Sequence, residues 1–172
     1  MWITMCTTKL GGSMNITIIS VGKLKEKYLK VGIAEYLKRL KSYAKVRIIE
    51  VKDEPADQFL SDKEIEQIKE IEGKKIIEKI PERSEIIVLD IQGKELSSEK
   101  FAQHINETTI YGKSHLVYII GGSHGLSKEV LGKSNLKVSF GKLTYPHQLM
   151  RLILTEQIYR AFKILNNEPY HK

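Results

Sequence analysis

The stretch LVYIIGGSHGLSKEV, residues 116–130, determines how the rest of the chain is interpreted. An apolar run ends in the paired glycines Gly121 and Gly122, a third glycine follows at Gly125, and Ser127 begins a polar turn. Glycines between a strand and a helix let backbone N–H and C=O groups approach a ligand, because no Cβ stands in the way. The stretch therefore predicts a strand, a loop able to hold a small ligand, and a helix.

Outside this stretch, the hydrophobic period alternates between that of strands and that of helices, which is typical of βα units. The predicted strands are NITIISV, VRIIEV, EIIVLDI, HLVYIIG and LKVSF. The predicted helices begin near Glu26, Ser61, Ser98, Ser127 and Pro146. Ser61 and Glu64 have the spacing of a capping box, and a proline suits a first helical turn. We predict a single α/β domain with a mostly parallel sheet flanked by helices.

Composition excludes several classes of protein and site. The chain has 172 residues, 41% hydrophobic and 28% charged, which is typical of one soluble globular domain. No apolar run approaches the ~20 residues of a membrane span. The single cysteine, Cys6, excludes an intramolecular disulfide, and no pair of histidines has zinc-ligand spacing. We expect a cytoplasmic protein without a metal site.

The first thirteen residues, MWITMCTTKLGGS, differ from the rest of the chain. They lack the apolar core of a secretory signal, and a strand pattern begins immediately after them. We interpret residues 1–13 as an N-terminal extension, non-native or from an alternative start, and Met14 as the true beginning of a domain over 14–172. The alternative is an ordered N-terminal arm.

The formal net charge of +7 is distributed unevenly. Residues 23–47 contain nine basic and two acidic side chains, whereas residues 50–72 contain nine acidic and three basic ones. The first predicted helix is therefore basic and suited to contact phosphates, with Lys23, Lys25 and Lys27 as candidates. The alternative is a solvated helix face.

The glycine loop does not match the common phosphate-binding loops. A Walker A loop would need glycines where Glu107 and Ser127 stand, and Ile120 breaks the dinucleotide-binding fingerprint. Gly93 and Gly141 lie in two further loops that follow predicted strands. Ligands of open α/β sheets bind at the carboxyl ends of the strands, so the three loops are suited to line one pocket for a ligand without phosphate. Ordinary turns are the alternative.

Five segments resemble one known family: VGKLKEKYLKVGIAEYLKRL, LDIQGKELSSEKFA, YIIGGSHGL, SFGKLTYPHQLMRLILTEQIYRAFKI and the terminal YHK. Together they are similar to the RlmH-type (YbeA/OrfX-like) methyltransferases of the SPOUT superfamily, over residues 14–172. The resemblance implies a SPOUT-type α/β fold with a C-terminal trefoil knot, a homodimer, and S-adenosylmethionine as cofactor. It also implies methylation of N3 of a pseudouridine in 23S ribosomal RNA, with the assembled ribosome or large subunit as partner.

The same resemblance assigns residue roles. The implied cofactor-binding residues are Leu89, Gly121, Phe140, Gly141, Lys142, Leu143, Thr144 and Tyr145. Tyr170 and His171 are implied as catalytic residues that place the uracil-type ring and handle its proton, and His147 is next in line. Lys172 is implied as a contact to phosphate or to the cofactor's tail.

The last predicted helix supports a homodimer. Its polar residues form one narrow stripe that includes Arg151 and Thr155, which leaves most of the circumference apolar and in need of burial on two sides. A central helix in a monomer is the alternative. Two other functions stay open: a transfer-RNA-modifying methyltransferase of the same class, and a non-catalytic RNA-binding module.

Overall fold

The computed structural model describes residues 14–56 and 58–171. The five strands are β1 (Met14–Val21), β2 (Ala44–Val51), β3 (Glu85–Glu95), β4 (His115–Ile120) and β5 (Leu136–Ser139). The five helices are α1 (Lys27–Leu40), α2 (Asp62–Ile77), α3 (Ser98–Ile110), α4 (Lys128–Lys133) and α5 (His147–Leu165). The predicted extension over 1–13 lies outside the described residues, as does Lys172.

All five strands lie in one sheet with the order β2-β1-β4-β3-β5. Every neighbouring pair is parallel, and the central pair β1–β4 joins Asn15 to His115 across a hundred residues of chain. The prediction of a single α/β domain with a parallel sheet is confirmed. The trefoil knot stays a prediction.

The predicted helix starts agree with the structure to within one or two residues. Ser61 caps α2, where its Oγ accepts a hydrogen bond from the Glu64 N–H and the Glu64 carboxylate accepts one from the Ser61 N–H. Pro146 is the residue immediately before α5 rather than part of its first turn. These caps satisfy backbone groups that a helix end leaves without partners.

The core has two layers, one on each face of the sheet. Helices α1, α3 and α5 pack together on one face, with Ile16, Ile18 and Phe162 among the buried side chains. Helices α2 and α4 cover Ile19 and Val117 on the other face. Within the part of the chain that the structure describes, no helix is long and apolar enough to cross a membrane.

The polar stripe predicted for α5 is wrong in part, because Arg151 and Thr155 are buried, at 1% and 0% exposure. The Thr155 hydroxyl donates to the Arg151 carbonyl at 2.7 Å, and the Arg151 guanidinium bonds groups of β1 and β2. These partners offset much of the cost of burying the two polar side chains, although the Arg151 Nε has no hydrogen-bond partner among the described residues. Packing against α1 and α3 therefore buries part of the apolar surface of α5 within one chain.

Tyr118 in the middle of β4 gives a testable prediction about the core. Its side chain is fully buried, and its Oη has no hydrogen-bond partner among the described residues. We expect Tyr118→Phe to leave the free energy of unfolding unchanged or to raise it by up to ~1 kcal/mol, because an unpaired buried hydroxyl is removed. Urea unfolding followed by circular dichroism measures this.

Tyr43→Phe is the matched control. The Tyr43 hydroxyl donates to Glu168 Oε2 at 2.7 Å, so its removal should lower the unfolding free energy by about 1 kcal/mol. A loss for Tyr118→Phe as large as that for Tyr43→Phe would show that the Tyr118 hydroxyl has a partner.

Candidate active site

Three loops at the carboxyl ends of β3, β4 and β5 enclose a cavity of about 190 Å³. The cavity is lined by Leu89, Asp90, Ile91, Ile120, Gly121, Gly122, Gly125, Leu126, Val138, Ser139, Phe140, Gly141, Leu143, Thr144, Tyr145, His147 and Met150. Seven of the eight residues predicted to bind the cofactor are among them. Lys142 is exposed and is not part of the lining. The cavity adjoins an open cleft of about 820 Å³ that shares Asp90, Gly122 and His147.

A bulge in β3 forms the first wall. The pairing of β3 with β5 shifts register between Leu89 and Lys94, both of which pair with Val138. The residues between them leave the ladder, which directs Asp90 and Ile91 toward the cavity. Gly93 lies directly against β5, and a Cβ there would be 2.7 Å from backbone atoms of Lys137 and Val138. The bulge therefore depends on the missing side chain of Gly93.

The glycine loop after β4 forms the second wall and folds back on itself. The Gly125 N–H donates to the Gly122 carbonyl at 3.1 Å, and Gly125 has a φ of +85°. A Cβ on Gly121 would be 3.0 Å from the Gly125 carbonyl carbon and 3.1 Å from Leu126 Cγ. Gly121 is therefore needed for closure of the loop itself, in addition to any approach to a ligand.

The loop after β5 forms the third wall. The Ser139 side chain is almost fully buried, and its Oγ accepts a hydrogen bond from the Gly141 N–H at 3.2 Å. Gly141 has a φ of +102°, in the left-handed region that glycine adopts without strain. This turn places Leu143, Thr144 and Tyr145 on the cavity, with the Leu143 side chain 72% exposed.

The lining fits a ligand that carries positive charge and no phosphate. Among the described residues, no lysine or arginine lines the cavity, whereas the acidic Asp90 does. Apolar side chains such as Leu89 and Phe140 provide surface for a flat ring, and the tight glycine turns leave backbone groups accessible. S-adenosylmethionine has an adenine, a sulfonium and no phosphate, so the residues present are compatible with it.

Tyr170 and His171, predicted as catalytic, do not lie at this cavity within the same chain. The Tyr170 ring contacts the Tyr159 ring with centroids 5.0 Å apart, and the Arg160 guanidinium lies 4.7 Å from the Tyr170 ring centroid. The Tyr170 hydroxyl donates to Glu156 Oε1 at 3.0 Å. Burial, together with hydrogen bonds to other residues, raises the pKa of Tyr170 well above its usual value.

The His171 ring is held by α3 and α5. Its Nε2 lies 2.8 Å from Glu99 Oε1, and its Nδ1 lies 3.3 Å from Arg160 Nη1. The Ser97 hydroxyl and then His171 are among the groups that lower the pKa of Glu99 to about 2. Met150, at the cavity, and Tyr159, beneath the tail, are nine positions apart in α5. This corresponds to about 13 Å along the helix axis.

The basic loop between β1 and α1 is fixed to the start of α5. The Leu24 N–H donates to Glu50 Oε1 and the Lys25 N–H donates to Gln148 Oε1, both at 2.9 Å. The predicted RNA-binding side chains Lys23, Lys25 and Lys27 are exposed on this loop and at the first residue of α1. The loop therefore has a defined position relative to the cavity.

Arg151, which sequence reasoning placed on a polar surface, makes this attachment. Its Nη1 donates to Glu50 Oε1 at 2.6 Å, and its Nη2 donates to Ser20 Oγ at 2.8 Å and to the Gly22 carbonyl at 3.0 Å. Burial opposes ionisation of Glu50, but the Leu24 N–H and Arg151 hold its pKa below the usual value. The sequence did carry a signal for this role, because Arg151 stands at the helical spacing of apolar residues that face the core.

His147 lies at the cavity and stays a candidate for proton transfer. Burial lowers the pKa of His147, the Arg151 charge lowers it further, and Asp53 opposes both. A neutral imidazole is a proton acceptor near pH 7. Among the described residues, no group of three or more His, Cys, Asp or Glu side chains is arranged to hold a metal ion.

Comparison with known proteins identifies the family. The family model described as Predicted SPOUT methyltransferase matches residues 14–171. "Ribosomal RNA large subunit methyltransferase H" of Carboxydothermus hydrogenoformans is 60% identical over 159 residues, which are 92% of this chain and 100% of the relative. The protein of that name from Enterococcus faecalis is also 60% identical over the same shares. A solved probable methylase family protein from Haemophilus influenzae Rd KW20 covers 92% of this chain and 70% of its own, at 11% identity and a TM-score of 0.48. The chain belongs to the SPOUT methyltransferase family.

Proposed function

We propose that this chain transfers a methyl group from S-adenosylmethionine to 23S ribosomal RNA, at N3 of a pseudouridine, in the cytoplasm. The observation that carries the proposal is the cavity at the carboxyl edge of the sheet, whose described lining residues include no lysine or arginine. The exposed basic loop reaches this cavity at Gly22, which lies beside His147. The names of relatives about 60% identical over their full length supply the substrate class.

S-adenosylmethionine supplies a methyl group that a nucleophile can displace from sulfur in one step. The chain's own residues then need chiefly to orient the two reactants, which contributes roughly 7–11 kcal/mol at best. Asp90 faces the cavity with a negative charge that balances a sulfonium, and apolar side chains around it limit access of water. The uracil-type N3–H must also lose a proton, and a general base contributes about 10²–10⁴ in rate.

A role for Tyr170 and His171 in this step requires a second copy of the chain. Within one chain they contact α3 and α5 and not the cavity, so we propose that they reach a cavity across a homodimer. Exposed apolar side chains at the cavity mouth, Ile91 at 59% and Leu143 at 72%, support such a dimer. We propose that a homodimer covers this mouth.

Methyl transfer tests the proposed function directly. Tritiated S-adenosylmethionine is incubated with the protein and with 70S ribosomes, 50S subunits or bulk transfer RNA from cells that lack the endogenous enzyme. We expect label in 23S RNA of ribosomes or 50S subunits and none in transfer RNA. Label in transfer RNA alone would identify the transfer-RNA-modifying alternative. Failure to bind the cofactor in calorimetry would favour a non-catalytic RNA-binding module.

Removal of residues 170–172 should lower methyl transfer to ribosomes by about 10² or more, because base placement and proton handling are lost. Tyr170 also packs on Tyr159, so the melting temperature is measured in parallel. Cofactor affinity should stay within about twofold of wild type. Near-normal turnover would assign the proton transfer to another group, with His147 next in line.

A mixed dimer provides the control for the tail. The truncated chain is combined with a full-length chain in which Gly141→Val obstructs the cavity turn. Each homodimer should be inactive, whereas the mixture should regain methyl transfer at the one complete site. No recovery would contradict a site shared between two copies.

Charge reversal of Lys23, Lys25 and Lys27 to glutamate should weaken ribosome binding and reduce its salt dependence. Each lost phosphate contact reduces the slope of log K against log salt by roughly 0.7–0.9. Cofactor affinity should not change. Charge reversal of the exposed Lys79, Lys128 and Lys133 is the matched control and should leave the slope unaltered. An equal slope in both variants would mean that the basic loop is only a solvated surface.

A further inference from the structure

A second cavity, here called the acidic pocket, lies on the other side of the glycine loop and has a volume of about 230 Å³. It is formed by the ends of β1 and β4, the β2–α2 loop, α2 and the first residue of α5. In the sheet, β2 lies on one side of β1, whereas β4 and β3 lie on the other side. The acidic pocket thus occupies the point where the strand order reverses, the usual ligand crevice of an open parallel sheet.

Glu72 forms the floor of the acidic pocket. Its side chain is only 5% exposed, although it carries a carboxylate. Oε1 accepts a hydrogen bond from the Glu54 N–H at 3.0 Å, and Oε2 has no hydrogen-bond partner among the described residues. Burial raises the pKa of Glu72, Asp53 raises it further, and the Glu54 N–H and His124 oppose them. Oε2 lies beside Gly122 of the pocket lining and can accept a hydrogen bond from a group bound there.

The same pocket is lined by Glu54, which pairs with Lys75, by Ser123, and by three further polar side chains, those of Asp53, His124 and His147. Residues 14–56 and 58–171 provide no hydrogen-bond partner for any of these three side chains. Gly122 and His147 also line the cofactor cavity, so a group in the acidic pocket lies beside the cofactor. Four polar side chains with free hydrogen-bonding capacity around one cavity are more than a structural core requires.

The chemistry of these groups selects one part of an RNA. The carboxylates of Asp53 and Glu72, beside the Lys75-paired Glu54, disfavour a phosphate, so an uncharged base is the part of an RNA that suits the pocket. Carboxylates accept hydrogen bonds from ring N–H groups, and imidazole N–H groups donate to carbonyl oxygens. A pseudouridine ring presents, apart from the N3 that is methylated, an N1–H next to a C=O group, and this edge of the ring matches both kinds. The volume is several times the ~30 Å³ of one water molecule, which leaves room for a ring.

The rim of the acidic pocket has the opposite charge. Lys23 lies just beyond β1 and Lys52 just beyond β2, and both are exposed. A basic rim attracts phosphates while the acidic interior favours an uncharged ring, as an enzyme that takes a base out of a stack requires.

We propose that the acidic pocket binds the N1 edge of the substrate's pseudouridine base, with Glu72 accepting the ring N1–H and His124 donating to the adjacent ring carbonyl, which leaves N3 free for methyl transfer. The proposal rests on the proposed function and adds the place where the base is held. It assigns Glu72, His124 and Asp53 to the RNA substrate rather than to the cofactor.

Glu72→Gln tests this with little change in volume. The glutamine side-chain oxygen can still accept a hydrogen bond from the Glu54 N–H. The amide NH₂ then faces the base, and two hydrogen-bond donors, the NH₂ and the ring N–H, oppose each other. We expect kcat/KM for ribosomes to fall tenfold or more, with the melting temperature and the dissociation constant of S-adenosylmethionine near wild type. Glu70→Gln, exposed on the same helix, is the matched control and should leave all three quantities unchanged.

His124→Ala is the second variant, because it loses no hydrogen bond within the described part of the chain. It should also lower kcat/KM for ribosomes about tenfold at unchanged cofactor affinity. If Glu72→Gln lowers the melting temperature, the result for His124→Ala is the one that tests the proposal. Wild-type kcat/KM in His124→Ala would overturn the proposal. A parallel loss of cofactor affinity in both variants would place the cofactor's ammonium group in the pocket and would also overturn it. Inactivity of the wild-type protein on ribosomes would instead contradict the proposed function.

Discussion

Gly93→Ala should abolish binding of S-adenosylmethionine and lower the melting temperature by several degrees. The new Cβ would lie 2.7 Å from the Lys137 carbonyl carbon and from the Val138 nitrogen, which are backbone atoms that cannot rotate away. Either β5 separates from the bulge or β3 straightens. Overpacking of this kind costs about 1–3 kcal/mol in side-chain cores, and a backbone neighbour places the cost at the upper end.

The cofactor cavity is the part that this change affects most. β5 leads directly into the loop that carries Phe140, Gly141 and Thr144, while the bulge carries Asp90 and Ile91. A displacement between β3 and β5 therefore moves two of the three walls in opposite directions. Isothermal titration calorimetry with S-adenosylmethionine, together with thermal unfolding, measures both consequences.

Gly132→Ala is the matched control for this variant. Gly132 lies inside α4, and a Cβ there has no neighbour within 4 Å. Alanine should stabilise this helix by up to ~1 kcal/mol and leave cofactor binding unchanged. Normal cofactor binding by the Gly93→Ala protein would show that the bulge tolerates a side chain and that β5 is not fixed by it.

Arg151→Met should lower the free energy of unfolding by about 3 kcal/mol. Removal of one partner of a buried ion pair typically costs roughly 3–5 kcal/mol, and the lower end applies because the Glu50 side chain is 38% exposed and regains water. Ser20 Oγ and the Gly22 carbonyl also lose their donor. Urea unfolding measures the loss, and the double variant Arg151→Met/Glu50→Gln should recover part of it.

The same pair predicts a dependence on pH. The pKa of Glu50 is lower in the folded chain than its usual 4.5, so its contribution is present above 4.5 and is lost as the pH falls through the folded-state value. Stability curves of wild type and Arg151→Met should therefore converge in acid. A constant difference at all pH values would mean that packing of the arginine, and not its charge, provides the stability.

Local patterns were sufficient to predict most of the fold. Each βα boundary has a serine, glutamate or proline at or next to the residue where the helix begins, and these signals act over three or four residues. The three glycine-containing loops also follow from local pattern, because the carboxyl ends of parallel strands lie at one edge. The eight cofactor residues themselves came from the resemblance to a known family, and seven of them line the one cavity that these loops form.

Features that depend on distant partners could not be predicted in this way. The bulge at Gly93 exists because Lys137 and Val138 approach it, forty-odd residues later. Arg151 was assigned to a polar stripe, although it stands at the helical spacing of the buried Leu154 and Ile158. Glu72 entered only the count of acidic residues, although it stands at the helical spacing of the buried Ile68 and Ile76. The packing of the tail also depends on distant partners, because the structure places the Tyr170 ring on Tyr159 of α5.

The strand order has a consequence for how the chain folds during synthesis. β1 pairs with β2 soon after both emerge, but its other edge waits for β4, a hundred residues later. β3 in turn keeps one edge open until β5 arrives. Parallel pairing over such separations is intrinsically slow, and an open strand edge is a template for intermolecular pairing. Refolding from denaturant should therefore be slow and should lose yield as the protein concentration rises, with the open edge of β3 as the site of the first intermolecular contacts.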